Sequence, residues 1–313
     1  MEGIIKGYEI LSRYKNKKCF YGVAIYNDEK VFYKEFGSNE DKEKELNGYS
    51  LVHNYYNIPK IINEYENIIM YEYKEELLNK TIYEYLYLDD LSINIDSILK
   101  QYENSLSNIK ILDEKELSNY KFFAKRKEMI ENYMTSIPEE KDNLNRILEV
   151  ITKPKTLSAF ISQGDPTDTN ISINGLFTDF ENGGYNSIVG EISIFLVSVL
   201  THGSYFYPKY NSNVYKIRPK YKVCTKISEK NKKILISYLN MIKNRLNYDE
   251  LNKYLKYYIC FRFLTPIDIL KMDDKDRNIV FKLIDMFLKT ENIDDILKLI
   301  EEWDVCFIEK LLN

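Results

Sequence analysis

The sequence has 313 residues, of which 44% are apolar and 29% are charged, and its formal net charge is −4. This length suits two domains or lobes in close contact better than one small core. The slightly negative charge argues against a nucleic-acid partner recognised through a basic face, and it leaves room for a cationic small substrate held by local carboxylates.

Cysteine and histidine usage narrows the kind of site further. The four cysteines are too far apart in sequence for a C-x-x-C pair or for zinc-ligand spacing, so we expect reduced thiols in a cytoplasmic protein. Only two histidines are present, which excludes a histidine-rich metal site. No signal-peptide pattern is evident at the N-terminus, and no apolar run is long enough to predict a membrane span. These residues are Cys19, Cys224, Cys260, Cys306, His53 and His202.

Residues 1–74 are predicted to form a small antiparallel sheet with one helix. Two segments rich in aromatic and β-branched residues flank the turn-forming stretch 27–30, which predicts a β-hairpin. A broad helical spacing of apolar residues follows, although Gly48 weakens the helix prediction. The predicted elements are strands over 18–26 and 30–36, a helix over 45–53, and strands over 58–62 and 67–73.

Residues 75–313 are predicted to be mainly helical. Two long, mixed-charge blocks contain almost no glycine, and Pro138 divides the second of them. An island richer in glycine and short apolar runs then extends from Leu157 to Gly190, and helical periodicity resumes after Ile192. Because loops carried on a rigid scaffold often hold binding residues, this island is the candidate site. The two helical blocks cover 80–112 and 115–150.

The island combines oxygen-rich side chains on two neighbouring turns. Asp165 and Asn170 lie on one tight loop, and Asp179 follows Leu176–Phe177, a short apolar run that we expect to form a strand. Carboxylate and amide oxygens suit Mg²⁺, with water and substrate phosphates completing its shell, and a carboxylate outside the metal can orient or deprotonate a hydroxyl. Phosphoryl transfer needs little more than such positioning and charge neutralisation. The alternative is a pair of ordinary polar turns.

The segments Gln163–Asn170 and Phe177–Glu181 resemble the catalytic and metal loops of the aminoglycoside phosphotransferase and choline kinase group of the protein-kinase-like fold. That family reads His-Gly-Asp-x-x-x-x-Asn, a strand-turn-strand, and then Ile-Asp-Phe-Glu or Ile-Asp-Trp-Glu. The resemblance implies that Asp165 is the catalytic base and that Asn170 and Asp179 hold magnesium. It also implies a two-lobed α+β fold, with a nucleotide-binding lobe over 1–74 and a helical lobe over 75–313 that carries the loops of 157–195.

Two further features bear on the resemblance. Gln163 replaces the histidine that usually precedes Gly-Asp, and a glutamine can make part of the bracing hydrogen bonds of that residue. The stretch Gly190–Phe195 is similar to the family's Gly-Asp-x-x-x-Asp-Leu-Ala helix, which implies that Glu191 supports the loop from behind. The absence of His-Arg-Asp and Ala-Pro-Glu segments argues against a protein kinase.

The resemblance requires a strand lysine for the nucleotide phosphates and a helix glutamate to pair with it. Lys34, near the end of the second predicted strand, supplies the lysine, and Glu45, at the start of the following predicted helix, is its expected partner. Glu43 competes for that role. Met70 and Tyr73 bound the segment that we expect to serve as the hinge, where backbone groups would meet the nucleotide base.

The sequence therefore predicts a magnesium-dependent, ATP- or GTP-using small-molecule O-phosphotransferase. The first expectation for the acceptor is an aminoglycoside or a similar amine-bearing antibiotic, because acids and aromatic residues are dense in the segments that should wall the cleft. Alternatives are a metabolic kinase for choline, a sugar, a nucleoside or homoserine, and a nucleotide-binding pseudokinase scaffold. The acid and tyrosine candidates are Tyr83, Tyr85, Tyr87, Asp89, Asp90, Tyr205, Tyr207 and Tyr210; Asp89 and Asp90 could instead begin a helix.

Overall fold

The structure is a computed structural model that describes most of the chain. The described residues are 4–5, 8–15, 19–76, 80–87, 90–201, 229–246, 248–266, 268–272 and 274–303. Several residues singled out from the sequence lie outside them. These are Asp89, His202, Tyr205, Tyr207, Tyr210, Cys224 and Cys306.

The N-terminal part is an antiparallel sheet, as expected. Its strands follow the order β1-β2-β4-β5-β7-β6, and β3 pairs with β4. The hairpin between β4 and β5 turns at Asn27 and Asp28, whose φ angles of 49° and 64° suit the primed turns that match strand twist. The strands are β1 (Ile4–Ile5), β2 (Tyr8–Ile10), β3 (Tyr14–Lys15), β4 (Cys19–Tyr26), β5 (Glu29–Phe36), β6 (Ile61–Tyr65) and β7 (Ile68–Glu72).

One helix, α1 (Asn39–Val52), lies between β5 and β6 and begins earlier than predicted. Ser38 caps it by accepting a hydrogen bond from the Asp41 backbone N–H, and Glu40 and Asp41 place negative charge in the first turn. The polar residues 39–44, which precede the predicted start, thus belong to the helix and include its first turn. Consequently, Glu45 lies in the interior of the helix and not at its start.

The start of the third predicted strand, 58–62, also moves. β6 begins at Ile61 rather than at residue 58, because Pro59 cannot donate to a strand ladder. The two predicted helical blocks are also interrupted, because residues 110–113 form a strand. This strand pairs with residues 156–159, and pairing with a segment so far along the chain gives no local periodicity in the sequence. Pro138 divides the second block at a short 3₁₀ turn, as predicted.

The C-terminal part is mainly helical and contains a small antiparallel sheet in the order β10-β9-β8. These strands are β8 (Lys110–Asp113), β9 (Thr156–Ser162) and β10 (Gly184–Ser187). The helices are α2 (Ile82–Tyr87), α3 (Ile95–Leu106), α4 (Tyr120–Ser136), α5 (Lys141–Thr152), α6 (Ile188–Thr201), α7 (Glu229–Arg245), α8 (Tyr248–Leu264), α9 (Asp274–Lys289) and α10 (Ile293–Glu302).

The main hydrophobic core joins the two parts of the chain. It includes Phe36 and Val52 from the N-terminal part, and it continues through β9 and the almost fully buried helix α6. A smaller core lies within the sheet and contains Tyr33 and Met70. The α+β fold class, with a small antiparallel sheet followed by a mainly helical part, is confirmed, whereas the boundary at residue 74 stays a prediction. Across the described ranges, no helix combines the length and apolar character needed to cross a bilayer.

Candidate active site

Lys34 on β5 forms the centre of a buried ionic network. Its ammonium nitrogen lies 2.6 Å from Glu45 Oε1 and 2.8 Å from Asp179 Oδ1. Burial by itself would lower the pKa of Lys34, but the charges of Asp179 and Glu45 outweigh it and hold that pKa above its usual value. The lysine is therefore a fixed positive charge where the sheet meets the Asp179 turn.

Glu45 ties three elements together around this lysine. Its side chain is 1% exposed, and it also accepts hydrogen bonds from the Tyr71 hydroxyl at 2.9 Å and from the Phe180 backbone N–H at 3.1 Å. The competing candidate, Glu43, is exposed. A carboxylate with three donors is held in one orientation, so helix α1 and the Asp179 turn are fixed relative to each other.

Helix α1 approaches this turn closely because residue 48 is glycine. A Cβ atom at Gly48 would lie 1.8 Å from the Phe180 carbonyl oxygen. The residue that weakened the helix prediction is therefore the one that lets the helix reach the site. The cost of a glycine within a helix, about 1 kcal/mol relative to alanine, is accepted here for contact with the Asp179 turn.

Asp179 occupies a strained position at the mouth of the site. Its φ angle is 66°, in the left-handed region that non-glycine residues seldom adopt, and its side chain is 43% exposed. The preceding residues form isolated bridges, Asn57 with Leu176 and Ile171 with Phe177, and not the short strand that the sequence suggested. The two bridges fix the position of the turn. The left-handed backbone conformation at Asp179 then sets the direction of that residue.

The loop of Asp165 is a succession of tight turns. Gly164 has a φ angle of 86°, and a Cβ atom there would lie 2.1 Å from the Asn182 carbonyl oxygen, so only glycine fits. The Asn170 side-chain Nδ2 donates to the Asp165 carbonyl at 2.9 Å, and the Thr178 N–H donates to the Asn170 carbonyl at 3.0 Å. Because the amide nitrogen of Asn170 is engaged, its amide oxygen is the atom available as a metal ligand.

Gln163 joins the Asp165 loop to the Asp179 turn. Its side chain is fully buried, and Nε2 donates to the carbonyl oxygens of Thr178, at 2.7 Å, and of Asp179. Its Oε1 accepts from the Asp165 N–H at 2.9 Å. The glutamine that departs from the family pattern therefore uses both ends of its amide to brace the two loops that carry the candidate chemistry.

Helix α6 supports the Asp165 loop from behind. The Asp168 N–H donates to Ser198 Oγ at 2.9 Å, and the Ser198 hydroxyl donates back to Asp168 Oδ1 at 2.8 Å. Glu191, on the same helix, is fully buried, and burial raises its pKa to about 8, with a further contribution from the negative charge of Asp165. The Ser198 contact had no sequence signal, because serine is common on helix surfaces.

Arg262 is a second site residue that the sequence did not reveal. It lies near the end of α8, is 3% exposed, and places Nη2 3.6 Å from Asp165 Oδ1. A lone arginine within an aromatic-rich helix carries no motif that could have indicated this contact. Its proximity shows that a positive charge as well as acids borders the Asp165 loop.

The two hinge candidates occupy different positions. Met70 lies inside β7, between its partners Tyr33 and Asn63, and its side chain is 1% exposed within the smaller core. A strand paired on both sides directs its backbone groups into the ladder, and the role of Met70 at the hinge stays a prediction. Tyr73 directly follows the end of β7 and is half-buried, with Lys30 Nζ 5.6 Å from its ring centre.

The acceptor candidates are only partly described. Tyr85 is buried, and Lys230 contacts both its backbone carbonyl, at 3.1 Å, and its ring, at 4.9 Å from the centre, so it is a packing residue. Asp90 lies on an exposed turn, and helix α3 begins later, capped by Asn94; the alternative that Asp90 begins a helix is wrong. Tyr83 is partly buried on α2.

The donor set fits a magnesium ion. Among the described residues, no group of three or more histidine, cysteine or acidic side chains could hold a metal. Asp179 and Asn170 instead offer one carboxylate and one amide oxygen. This fits Mg²⁺ at nucleotide sites, since that ion is commonly bound by one or two protein ligands together with water and phosphate oxygens.

Comparisons with known proteins find solved structures that resemble this chain in structure, but they find no match in sequence. No protein-family model matches the chain, and no curated protein matches it significantly. The solved complex described as amicoumacin kinase hAmiN with AMP-PNP, Ca²⁺ and Ami is 12% identical with a TM-score of 0.48, and the match covers 96% of this chain and 88% of that one.

Two further solved structures match over similar lengths. The streptomycin–ATP–APH(2")-IIa ternary complex is 9% identical with a TM-score of 0.48, covering 96% of this chain and 94% of that chain. Choline kinase from Cryptosporidium parvum is 12% identical with a TM-score of 0.45, covering 98% and 90%. At these scores the likenesses carry no argument about the substrate, and the geometry of the site carries the proposal instead.

Proposed function

We propose that this chain is an ATP- or GTP-dependent O-phosphotransferase that transfers a γ-phosphoryl group to a hydroxyl of a small molecule. One observation carries the proposal: a single network of contacts runs from Glu45 through Lys34 to Asp179, and Gln163 extends it to Asp165. This arrangement provides a fixed cation, an oxygen-donor turn and a carboxylate on adjacent loops. Phosphoryl transfer requires those three parts.

Each part has a role in the proposed reaction. Lys34 contacts the nucleotide phosphates, and Glu45 holds its ammonium in place. Asp179 and Asn170 hold Mg²⁺, which when bound would neutralise charge on the phosphates. The backbone at Tyr73, where the chain leaves β7, meets the nucleotide base. In the structure Lys34 contacts Asp179 directly, so phosphate oxygens would share the lysine with that carboxylate.

Asp165 acts on the acceptor. Its side chain is 26% exposed, so it faces both solvent and protein. As a carboxylate it accepts a hydrogen bond from the acceptor hydroxyl. It receives the proton as the bond between the hydroxyl oxygen and the γ-phosphorus forms and the bond from that phosphorus to the β,γ-bridging oxygen breaks, which releases ADP or GDP. The Asn170 and Gln163 contacts fix the backbone on both sides of it, which keeps this oxygen at a constant position relative to the phosphate site.

The proposed acceptor is an aminoglycoside or a similar amine-rich antibiotic, and the proposed location is the cytoplasm. A metabolic kinase for choline, a sugar, a nucleoside or homoserine is the second candidate, since the Asp165 chemistry is common to all of these hydroxyl acceptors. A pseudokinase scaffold is disfavoured because Lys34, Asp165, Asn170 and Asp179 are all present and the described contacts hold them near one another.

A nucleotide-release screen tests the proposal. ADP or GDP formation would be measured with Mg²⁺ and either nucleotide across aminoglycosides, amino alcohols and nucleosides. We expect acceptor-dependent release that Asp165→Asn abolishes while nucleotide binding persists, because the mutation removes only the proton acceptor. Asp142→Asn, the same change at an exposed position, serves as the control. Near-native turnover by Asp165→Asn would show that another group accepts the proton.

A further inference from the structure

We propose that Tyr71 is a positioning residue: its buried hydroxyl holds the Glu45 carboxylate, which in turn places the Lys34 ammonium. The consequence for nucleotide binding rests on the proposed function, but the contact between Tyr71 and Glu45 can be tested without any ligand. The inference adds strand β7 to the elements that form the candidate site.

The strand register places Tyr71 and Lys34 on one face of the sheet. Tyr71 lies opposite Phe32 on β5, and Phe32 and Lys34 are two residues apart on that strand. Residues two apart on a strand share a face, and so do residues directly opposite each other in an antiparallel pair. Helix α1 packs on this face, since the ring centre of Tyr49 lies 6.3 Å from that of Tyr71. The Tyr71 hydroxyl therefore reaches Glu45 from the sheet, with the two oxygens 2.9 Å apart.

The three donors to Glu45 differ in what else they contact. Glu45 Oε1 accepts from both Tyr71 and Lys34, and its Oε2 accepts from the Phe180 N–H. Lys34 also donates to Asp179, and its ammonium is carried on a flexible four-carbon stem. Phe180 directly follows Asp179, the residue in the left-handed conformation. Two of the three donors thus belong to the parts that would engage phosphates and metal in the proposed reaction.

Tyr71 is the donor that the rest of the sheet fixes. Strand β7 is paired on both sides, and Tyr71 lies between Phe32 of β5 and Ile61 of β6. The side chain is 2% exposed, and its ring centre is 6.4 Å from that of Phe32. A tyrosine has only two side-chain torsions, so packing of its ring also fixes its hydroxyl at a low cost in entropy. The hydroxyl is therefore expected to stay at Glu45 when Lys34 turns towards the phosphates.

The contact is not a general property of the buried tyrosines. Tyr8, Tyr102 and Tyr238 are also buried, and their hydroxyls have no hydrogen-bond partner within the described ranges. A tyrosine can thus pack in this fold without a partner for its hydroxyl. The hydroxyl of Tyr71 instead donates to a charged acceptor, and such hydrogen bonds are roughly twice as strong as those between neutral groups.

Loss of this hydroxyl should affect Lys34 through Glu45. Tyr71→Phe keeps the ring and removes only the donor. Glu45 would then be held by Lys34 and the Asp179 turn alone, and both are expected to adjust when ligands bind. The ammonium would be less well placed for the phosphates, so nucleotide binding should weaken by about fivefold as preorganisation is lost.

A double-mutant cycle in urea unfolding tests the contact without a ligand. Tyr71→Phe should raise the unfolding equilibrium constant of wild type about tenfold or more, as expected for a hydrogen bond to a charged group. In a Glu45→Leu background, which removes the acceptor and leaves Lys34 its other carboxylate, the same change should have an effect of less than about threefold. Tyr33→Phe is the matched control, because it removes a buried hydroxyl that donates to the Ser12 carbonyl on the same sheet. Its effect should be the same in both backgrounds.

Nucleotide titrations of the full-length folded proteins test the functional consequence. Kd for ATP and for GTP would be measured by calorimetry with Mg²⁺. We expect Kd to rise about fivefold in Tyr71→Phe and less than about twofold in Tyr33→Phe. In the Glu45→Leu background, Tyr71→Phe should change Kd by less than about twofold, because its effect passes through Glu45. A merely structural role would lower stability and leave the Kd of the folded protein unchanged.

Two results would overturn the proposal. One is an equal effect of Tyr71→Phe on unfolding in both backgrounds, and the other is a Kd in Tyr71→Phe that stays within about twofold of wild type. If Glu45→Leu does not fold, Glu45→Gln replaces it, and the effect of Tyr71→Phe must then be smaller than in wild type because the acceptor is neutral. Failure of wild type to bind either nucleotide would refute the proposed function, while the unfolding cycle would still decide whether Tyr71 holds Glu45.

Discussion

The buried carboxyl of Glu191 gives the fold a pH dependence of defined sign. Its pKa is raised from the ordinary 4.5 to about 8 by burial first and by the charge of Asp165 second. The Ser162 side chain and the Gly164 backbone lower it only in part. Neither Glu191 oxygen has a hydrogen bond of normal geometry within the described residues. The folded protein thus keeps a proton on Glu191 that the unfolded chain releases.

The sign follows from this difference. The Glu191 contribution to stability is fully present below pH 4.5, where both states bind the proton, and it is lost as pH rises towards about 8. The gap between 4.5 and about 8 corresponds, at 1.36 kcal/mol per unit, to roughly 5 kcal/mol as an upper value. Glu191→Gln removes this titration while nearly preserving the shape of the protonated side chain.

The assay is urea unfolding of wild type and Glu191→Gln at several pH values from 5 to 9. We expect the variant to gain stability relative to wild type as pH rises, with a slope approaching about 1.4 kcal/mol per pH unit between pH 5.5 and 7.5. Comparing the two proteins at each pH cancels the groups they share. A difference that does not change with pH, or a variant that weakens progressively, would mean that Glu191 is ionised in the fold and would refute the reasoning.

Two further substitutions test how the loops are held. Gln163→Ala removes the contacts to Thr178, Asp179 and Asp165 and should cost about 3 kcal/mol in urea unfolding. Gln163→His, which can still bond to one loop, should recover part of the loss, and equal stability of all three proteins would argue against a brace. Gly48→Ala places a methyl group 1.8 Å from the Phe180 carbonyl and should cost roughly 2 kcal/mol, compared with under 0.5 kcal/mol for Ser50→Ala on the exposed face. An unchanged Gly48→Ala protein would show that α1 does not depend on this close approach.

Elements of the fold that depend on local interactions were predicted from the sequence, whereas elements that depend on contacts between distant segments were not. The hairpin of β4 and β5 was predicted because its turn residues and strand periodicity are local. The start of α1 was missed because its first turn is polar and is fixed by the Ser38 cap rather than by apolar spacing. The strand Lys110–Asp113 was missed because its pairing with β9 is not local.

The same distinction applies to the site. Asp165, Asn170 and Asp179 could be proposed because their spacing resembles a known pair of loops, and Lys34 could be proposed because that resemblance requires a strand lysine. The hinge bounded by Met70 and Tyr73 stays a prediction, and the sequence did not show that β7, which contains Met70, is paired on both sides. Arg262 could not have been found, since helix packing alone brings it to the Asp165 loop.

Nucleotide binding with and without Mg²⁺ is the most direct test of the proposed site. Thermal unfolding of wild type, Asp179→Ala and a Glu43→Gln control would be followed with ATP and GTP, since Glu43 is an exposed acid on the same helix as Glu45. We expect Mg²⁺ to increase stabilisation by nucleotide in wild type and the control, and this increase to be lost in Asp179→Ala. No stabilisation of wild type by either nucleotide, or an unchanged Mg²⁺ effect in Asp179→Ala, would contradict the account.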